Sequence, residues 1–329
     1  MQQRTLLWQD GKLSADLSPG ALQSAVQNPH ALVWLDLKIE DDPTQYASML
    51  SNVFQISHLT IETIDEKLER AKLVSGHGYF YLVVHGLDFD VKGGEESTPK
   101  LDIVFGKNFL ITAHRSTPHW LDELWEAVRT GETEENVMSR GIAFLLHSVL
   151  DALVDSYFPV LDTLDDLIDE LEDAAVNDAS NEVQGRIFRI KRSLAQMRRV
   201  ISPQVEVANS LITRTGNLIP TEAEPYFADV HDHLIRTFEV LDSYRDLMSG
   251  LLDVYLTTVS NRLNQVMKQL TIIATIFMPI TFITGVFGQN FGHQPQVQYD
   301  NGYNFWIVLA AMGVITLAQI WYFKHRKWL

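Results

Sequence analysis

The sequence predicts a mixed α/β domain, then a helical hairpin, then one long helix that runs into the first of two membrane-spanning segments. Three observations predict this order. β-Branched and aromatic runs alternate with helical patterns over residues 1–133, after which strand signals vanish. The helical pattern that begins near Glu224 meets no stop signal on its way into apolar sequence. No Asp, Glu, Lys or Arg lies between Lys268 and Asp300, nor from Asn301 to Phe323.

In the first region, "ALVWLDL" (31–37), "YFYLVVHGLDF" (79–89) and "LDIVFGKNFLITAH" (101–114) have the composition of strands, with turns at Gly and Asn. "DPTQYASMLSNVF" (42–54) and "HLTIETIDEKLERA" (58–71) have helical spacing, and "VKGGEESTPK" (91–100) suits an exposed hairpin loop. The start, "MQQRTLLWQDGKLSADL", lacks a basic segment followed by an apolar core, so no secretory signal is expected there. Residues 134–223 are expected to form the hairpin. Over 141–176, Leu161, Leu164, Ile168 and Leu171 share one face while Asp162, Asp165, Asp166, Asp169, Glu170 and Asp173 occupy the rest. A basic helix over 181–212 follows the turn "NDAS", and opposite charges on the two arms favour their pairing.

The third helix divides into a stalk (224–268) and a first span (269–287). A helix of this length would extend roughly 90 Å at ~1.5 Å per residue, further than a compact domain needs. "LTIIATIFMPITFITGVF" (270–287) reaches the lower limit for crossing a bilayer, and "FWIVLAAMGVITLAQIWYF" (305–323) carries aromatics at both ends, as interfacial belts require. Arg262 and Lys268 precede the first span, and Lys324, Arg326 and Lys327 lie in the basic tail (324–329). The short loop 288–304 has no Lys or Arg. This asymmetry places both termini in the cytoplasm and the loop outside, in a multi-pass protein of the lipid bilayer.

Alternate steps of four and three from Asp253 pass through Thr257, Ser260, Asn264, Met267, Thr271, Ala274, Met278, Thr281, Gly285 and Gly288. These residues are small, polar or sulfur-bearing, and their 3.5-residue period is the seam of a left-handed helical bundle. Two spans cannot enclose a pathway. If several copies assemble, the stripe becomes a pore lining with Asp253 as a ring at its cytoplasmic mouth. Pro279 removes a helix hydrogen bond beside Met278 and permits bending.

The stretch "SNRLNQVMKQLTIIATIFMPITFITGVFGQNF", the following "GYNFW", a second span and a terminal "KWL" closely resemble the CorA superfamily of divalent-cation transporters. "VWLDL" and "ISHLTIETIDE" fall where that resemblance expects them. The resemblance implies a homopentameric funnel in a bacterial or archaeal inner membrane, carrying Zn²⁺ or Mg²⁺ as its cargo and holding no covalent cofactor. It implies that Gly288, Gln289 and Asn290 stand for the family's Gly-Met-Asn triplet, with five Asn290 amides facing a hydrated cation at the outer mouth. It further implies that Met267 and Leu270 form a hydrophobic constriction able to stop ions by dewetting.

Two departures bear on the ion. Gln289 replaces the family's methionine, and "QPQV" (294–297) replaces the Met-Pro-Glu-Leu of magnesium channels, while His293 offers an imidazole that zinc accepts. These shift the expectation toward the ZntB zinc branch, with possible proton coupling, while the stripe still matches a CorA-type channel for Mg²⁺, Co²⁺ or Ni²⁺. Asp229 stands at the family's stalk sensing position. The acids expected opposite it, in "VSGHGYFY" (74–81), are replaced by His77 and Gly78. Asp229 and His233 lie one turn apart on one helix face and are a second candidate metal pair, with His231 pointing elsewhere.

Composition narrows the alternatives. With 42 acidic against 26 basic residues the formal charge is −16, which disfavours nucleic acid and concentrates cations. No cysteine is present, so disulfides, thiolate metal sites and cysteine catalysis are excluded. Without a Walker-A loop, nucleophile elbow or HExxH pair, neither an ATP-driven pump nor an anchored enzyme is expected. A non-conducting membrane sensor is the alternative of another class, to be separated by flux.

Overall fold

The computed structural model describes residues 2–39, 44–90, 95–131, 136–178, 180–289 and 303–328. They form two compact units, Met1–Leu252 and Asp253–Leu329, with the division falling inside one helix.

The first unit opens with β1 (Gln2–Gln9) and β2 (Lys12–Ala15), a hairpin closed by Asp10 and Gly11. Both turn residues have positive φ, 53° and 74°, the geometry that Asp-Gly supplies at least cost. Then come α1 (Pro19–Gln27), β3 (Leu32–Lys38), α2 (Thr44–Asn52), α3 (His58–Asp65), β4 (Lys72–Ser75) and β5 (Tyr79–His85). A small pair, β6 (Asp88–Asp90) and β7 (Glu95–Ser97), precedes β8 (Lys100–Gly106), β9 (Phe109–His114) and α4 (His119–Thr130). The main sheet runs β2-β1-β3-β9-β8-β5-β4, and only β3 and β9 pair in parallel.

Apolar side chains cover both faces of the sheet. Val33, Leu35, Leu37, Tyr81, Val104 and Ile111 pack with Leu22 of α1, Leu50 of α2 and Ile64 of α3. On β3 the alternate residue Trp34 meets Trp125 of α4, ring centres 4.6 Å apart. Buried charge in this layer is matched. Asp36 accepts from Arg4 Nε at 2.8 Å and from the Thr112 hydroxyl, and lies 3.2 Å from His114 Nε2. Asp102 accepts from Tyr81 at 2.6 Å and pairs with Lys100 at 3.0 Å. Lys100 also donates to the carbonyls of Thr63 and Ile64 in the last turn of α3.

The expected helix over 141–176 is two helices, α5 (Ile142–Asp155) and α6 (Phe158–Asn177). Pro159, in the first turn of α6, lacks the N–H that would donate to Asp155, so the chain breaks where proline is tolerated best, at a helix start. α5 packs against α4, β8 and β9, so it belongs to the sheet layers rather than to the hairpin. The hairpin is α6 with α7 (Asn181–Arg214). Leu161, Leu164, Ile168 and Leu171 of α6 are buried, as their spacing predicts, and Arg186 of α7 meets Glu170 of α6 at 2.9 Å. Helix α3 stops at Asp65, short of the expected Ala71, because the chain must extend into β4 to pair with β5.

Helix α8 is Glu224–Phe287 and α9 is Tyr303–His325. In the first unit α8 buries Phe227, Val230, Leu234, Leu241 and Met248. Three stretches among the described residues are long and apolar enough to cross a membrane: Ile142–Asn177, Glu224–Phe287 and Phe305–His325. Half of the first window is already buried by its own chain, against 6% and 0% for the other two. Only the last two therefore leave their apolar surface for lipid or other copies.

Candidate functional site

Within the second unit, α8 carries the polar stripe. Asp253, Thr257, Ser260, Asn264, Met267, Thr271, Ala274, Met278, Thr281 and Gly285 are all exposed on the single chain, as is Leu270. One chain thus encloses no pathway, and the stripe is available to an axis shared between copies. The threonine hydroxyls are turned back on their own helix: Thr257 donates to Asp253 O at 2.8 Å, Thr271 to Met267 O at 2.8 Å and Thr281 to Phe277 O at 2.9 Å. With each proton so used, the hydroxyl oxygens retain lone pairs that can act as acceptors. No acid or imidazole occurs on α8 between Asp253 and Phe287.

At the helix end, Gly288 N–H donates to Thr284 O at 2.8 Å. Gly288 is not in the left-handed region; its requirement is space, since a Cβ there would sit 3.1 Å from Thr284 O. Gln289 is exposed and is the last described residue before the loop. Asn290 and His293 lie outside the described residues. At the other end, Lys268 Nζ donates to Lys327 O at 3.2 Å and lies 5.8 Å from the Trp328 ring centre, so the terminal residues fold back on the start of the span. A long cationic side chain placed there keeps its charge at the level of the head groups.

A second cluster lies in the first unit. Asp229 and His233 of α8 sit one turn apart, with His233 Nε2 3.9 Å from Asp229 Oδ1, and His231 turns to Asp232 instead. Asp151 of α5 completes the group: one ligand atom from each of Asp151, Asp229 and His233 lies within 4.8 Å of the others. Two carboxylates and an imidazole form a donor set for a divalent cation. His233 Nδ1 is enclosed without a hydrogen-bond partner among the described residues. Burial pushes the Asp151 carboxyl above its ordinary range; His147 opposes that, while the charges of Asp155 and Asp229 add to it. A carboxylate held against burial and like charge is one that a cation would relieve.

Sequence reasoning sought the partner of Asp229 in residues 74–81 and did not find Asp151. A signal existed: His147, Asp151 and Asp155 recur every four residues on α5, a line of ionisable groups along a mostly apolar helix.

The chain matches the family described as CorA-like Mg²⁺ transporter protein over residues 29–325. It is 37% identical over 286 residues to the cobalt/magnesium transport protein CorA of Thermotoga maritima, covering 87% of this chain and 80% of that one. It is 22% identical over 321 residues to the zinc transport protein ZntB of Yersinia enterocolitica, covering 97% and 94%. The solved structure of the CorA magnesium transporter from Methanocaldococcus jannaschii superposes with a TM-score of 0.82 at 23% identity, over 99% of this chain and 98% of that one, a likeness of fold.

Proposed function

The chain belongs to the CorA-like Mg²⁺ transporter family, and from that premise we propose that it conducts hydrated Mg²⁺ or Co²⁺ across a cell's inner membrane as a homopentamer. Divalent-cation transport is what the family and its named relatives have in common. The observation that carries the choice of ion is the much greater identity to the cobalt/magnesium transporter than to the zinc transporter. The stripe supports it. Between Asp253 and Gly288 it offers neutral oxygens, thioethers and small side chains, which suit an ion that keeps its waters, and nothing that would strip and ligate zinc.

In this reading five stripes face one axis, with Asp253 at the cytoplasmic mouth, the Met267 and Leu270 constriction within, and Gly288, Gln289 and Asn290 outside. Asp151, Asp229 and His233 form a cytoplasmic cation site that biases the pore by occupancy. Zinc is the second reading, favoured by Gln289 and by "QPQV" in the loop, and by an alignment to ZntB that spans nearly the whole chain.

Flux into proteoliposomes separates the two, with Mg²⁺- and Zn²⁺-sensitive dyes run in parallel, with and without a pH gradient. Magnesium entry indifferent to the gradient is the expected result. Zinc entry strengthened by it would replace magnesium with zinc. Silence for both ions would overturn transport and leave a membrane sensor.

A further inference from the structure

The second span contains one side-chain amide, Gln319, and its position is not explained by lipid contact. Proline at 279 has no N–H, so the carbonyl four residues before it, Thr275 O, loses its helical donor. Gln319 Nε2 of α9 donates to that carbonyl at 3.0 Å. Only the nitrogen of the amide can donate, so the contact fixes which way the amide points. Its Oε1 is enclosed and has no hydrogen-bond partner among the described residues, so among them the amide is held by its nitrogen, through the bond to Thr275. Thr316, the neighbouring polar residue of α9, behaves differently: its hydroxyl is spent on Met312 O of its own helix. Gln319 is thus the polar group that reaches from α9 to the backbone of α8.

We propose that Gln319 is a positioning residue that replaces the hydrogen bond Pro279 removes, tying the outer helix to the pore-lining helix one turn before its proline. Thr275 and Pro279 lie beside Ala274 and Met278 of the stripe, so any change of helix angle at Pro279 moves the stripe before it relative to Thr281 and Gly285 after it. In hydrocarbon no water can take over a freed carbonyl, so movement of the helix at Pro279 is coupled to making or breaking this contact. The consequence for ion passage rests on the proposal that α8 lines the pathway; the contact itself does not.

The test is a double-mutant cycle on the full chain in nanodiscs and proteoliposomes. Gln319→Met keeps the length of the side chain and removes the donor. In the native background it should lower the thermal midpoint by about 2–4 °C and change Mg²⁺ flux by about three- to ten-fold. Pro279→Ala restores an N–H for Thr275 O, so adding Gln319→Met to it should leave midpoint and flux within error of Pro279→Ala alone. Equal effects of Gln319→Met in both backgrounds would overturn the proposal. Gln319→Asn provides the check should Pro279→Ala not assemble. It keeps the amide but is too short to reach, and should match Gln319→Met; wild-type behaviour would mean that polarity, not the contact, is what counts. A coupled midpoint with unaltered flux would reject the role in positioning the stripe. A wild type that passes no ion fails the transport reading instead, and the midpoint cycle still decides the contact.

Discussion

Replacing Asp229 by alanine removes one of the three candidate cation donors while disturbing little else. The Asp229 side chain is 62% exposed and its contact with His233 is long, at 3.9 Å, so without cation the variant should match the wild type within about 0.5 kcal/mol. With cation the difference should be large. At a free Mg²⁺ concentration a hundred times the dissociation constant, a filled site adds about 2.7 kcal/mol to the folded state. About 2–4 °C of midpoint accompany each kcal/mol for a unit of this size, so the wild type should gain about 5–11 °C on adding Mg²⁺. Asp229→Ala should lose most of that gain, and so should Asp151→Ala, because each removes a carboxylate from the same cluster. The assay is thermal unfolding of the full chain in nanodiscs, with chelator or with Mg²⁺. A Mg²⁺ gain undiminished in both variants would refute the cluster as a cation site.

Met267→Ser should wet the constriction and raise resting cation leak about tenfold, equal to a barrier lowered by about 1.4 kcal/mol; a mutant as tight as the wild type would move the gate elsewhere. Asn290→Ala should cut selective uptake by at least about tenfold, and undiminished selectivity would take Asn290 out of the outer mouth. Burial pushes the Asp102 carboxyl up to about 6, against Lys100 and Tyr81, which pull it down. A carboxyl raised on folding stabilises fully below its unfolded value near 4, and that contribution is lost as pH rises through about 6, in all about 3 kcal/mol. Asp102→Asn should therefore show a shallower fall in unfolding midpoint between pH 4 and 7 than the wild type; parallel curves would contradict the raised carboxyl.

The parts legible in the sequence were those whose signal is local. The two uncharged windows, the unbroken pattern after Glu224 and the turn before α7 are read from neighbours along the chain, and α7, α8 and α9 lie where those signals place them. The strands β3, β5, β8 and β9 announced themselves by apolar runs, because both of their faces are covered. The β1–β2 hairpin did not: "RTLLWQDGKLSA" sits at the sheet edge, where alternating burial dilutes the run, although Asp10-Gly11 was the turn to look for. Helices α1 and α4 went unread because each offers only two or three buried residues to its layer.

By itself, the sequence determined the class of the protein: two apolar spans, a 3.5-residue stripe and an α/β domain, with a cytoplasmic side for that domain expected from charge asymmetry. Hydropathy, charge and period are properties of short windows, and the bilayer imposes them segment by segment. Only the tertiary structure decided which polar groups meet. Asp151 reaches Asp229 and His233 because α5 packs on the sheet and α8 passes beside it. Gln319 reaches Thr275, 44 residues away, because α9 lies beside the stretch of α8 that ends at Pro279. Such pairings depend on packing between elements distant in sequence, and no periodicity within either partner encodes the other.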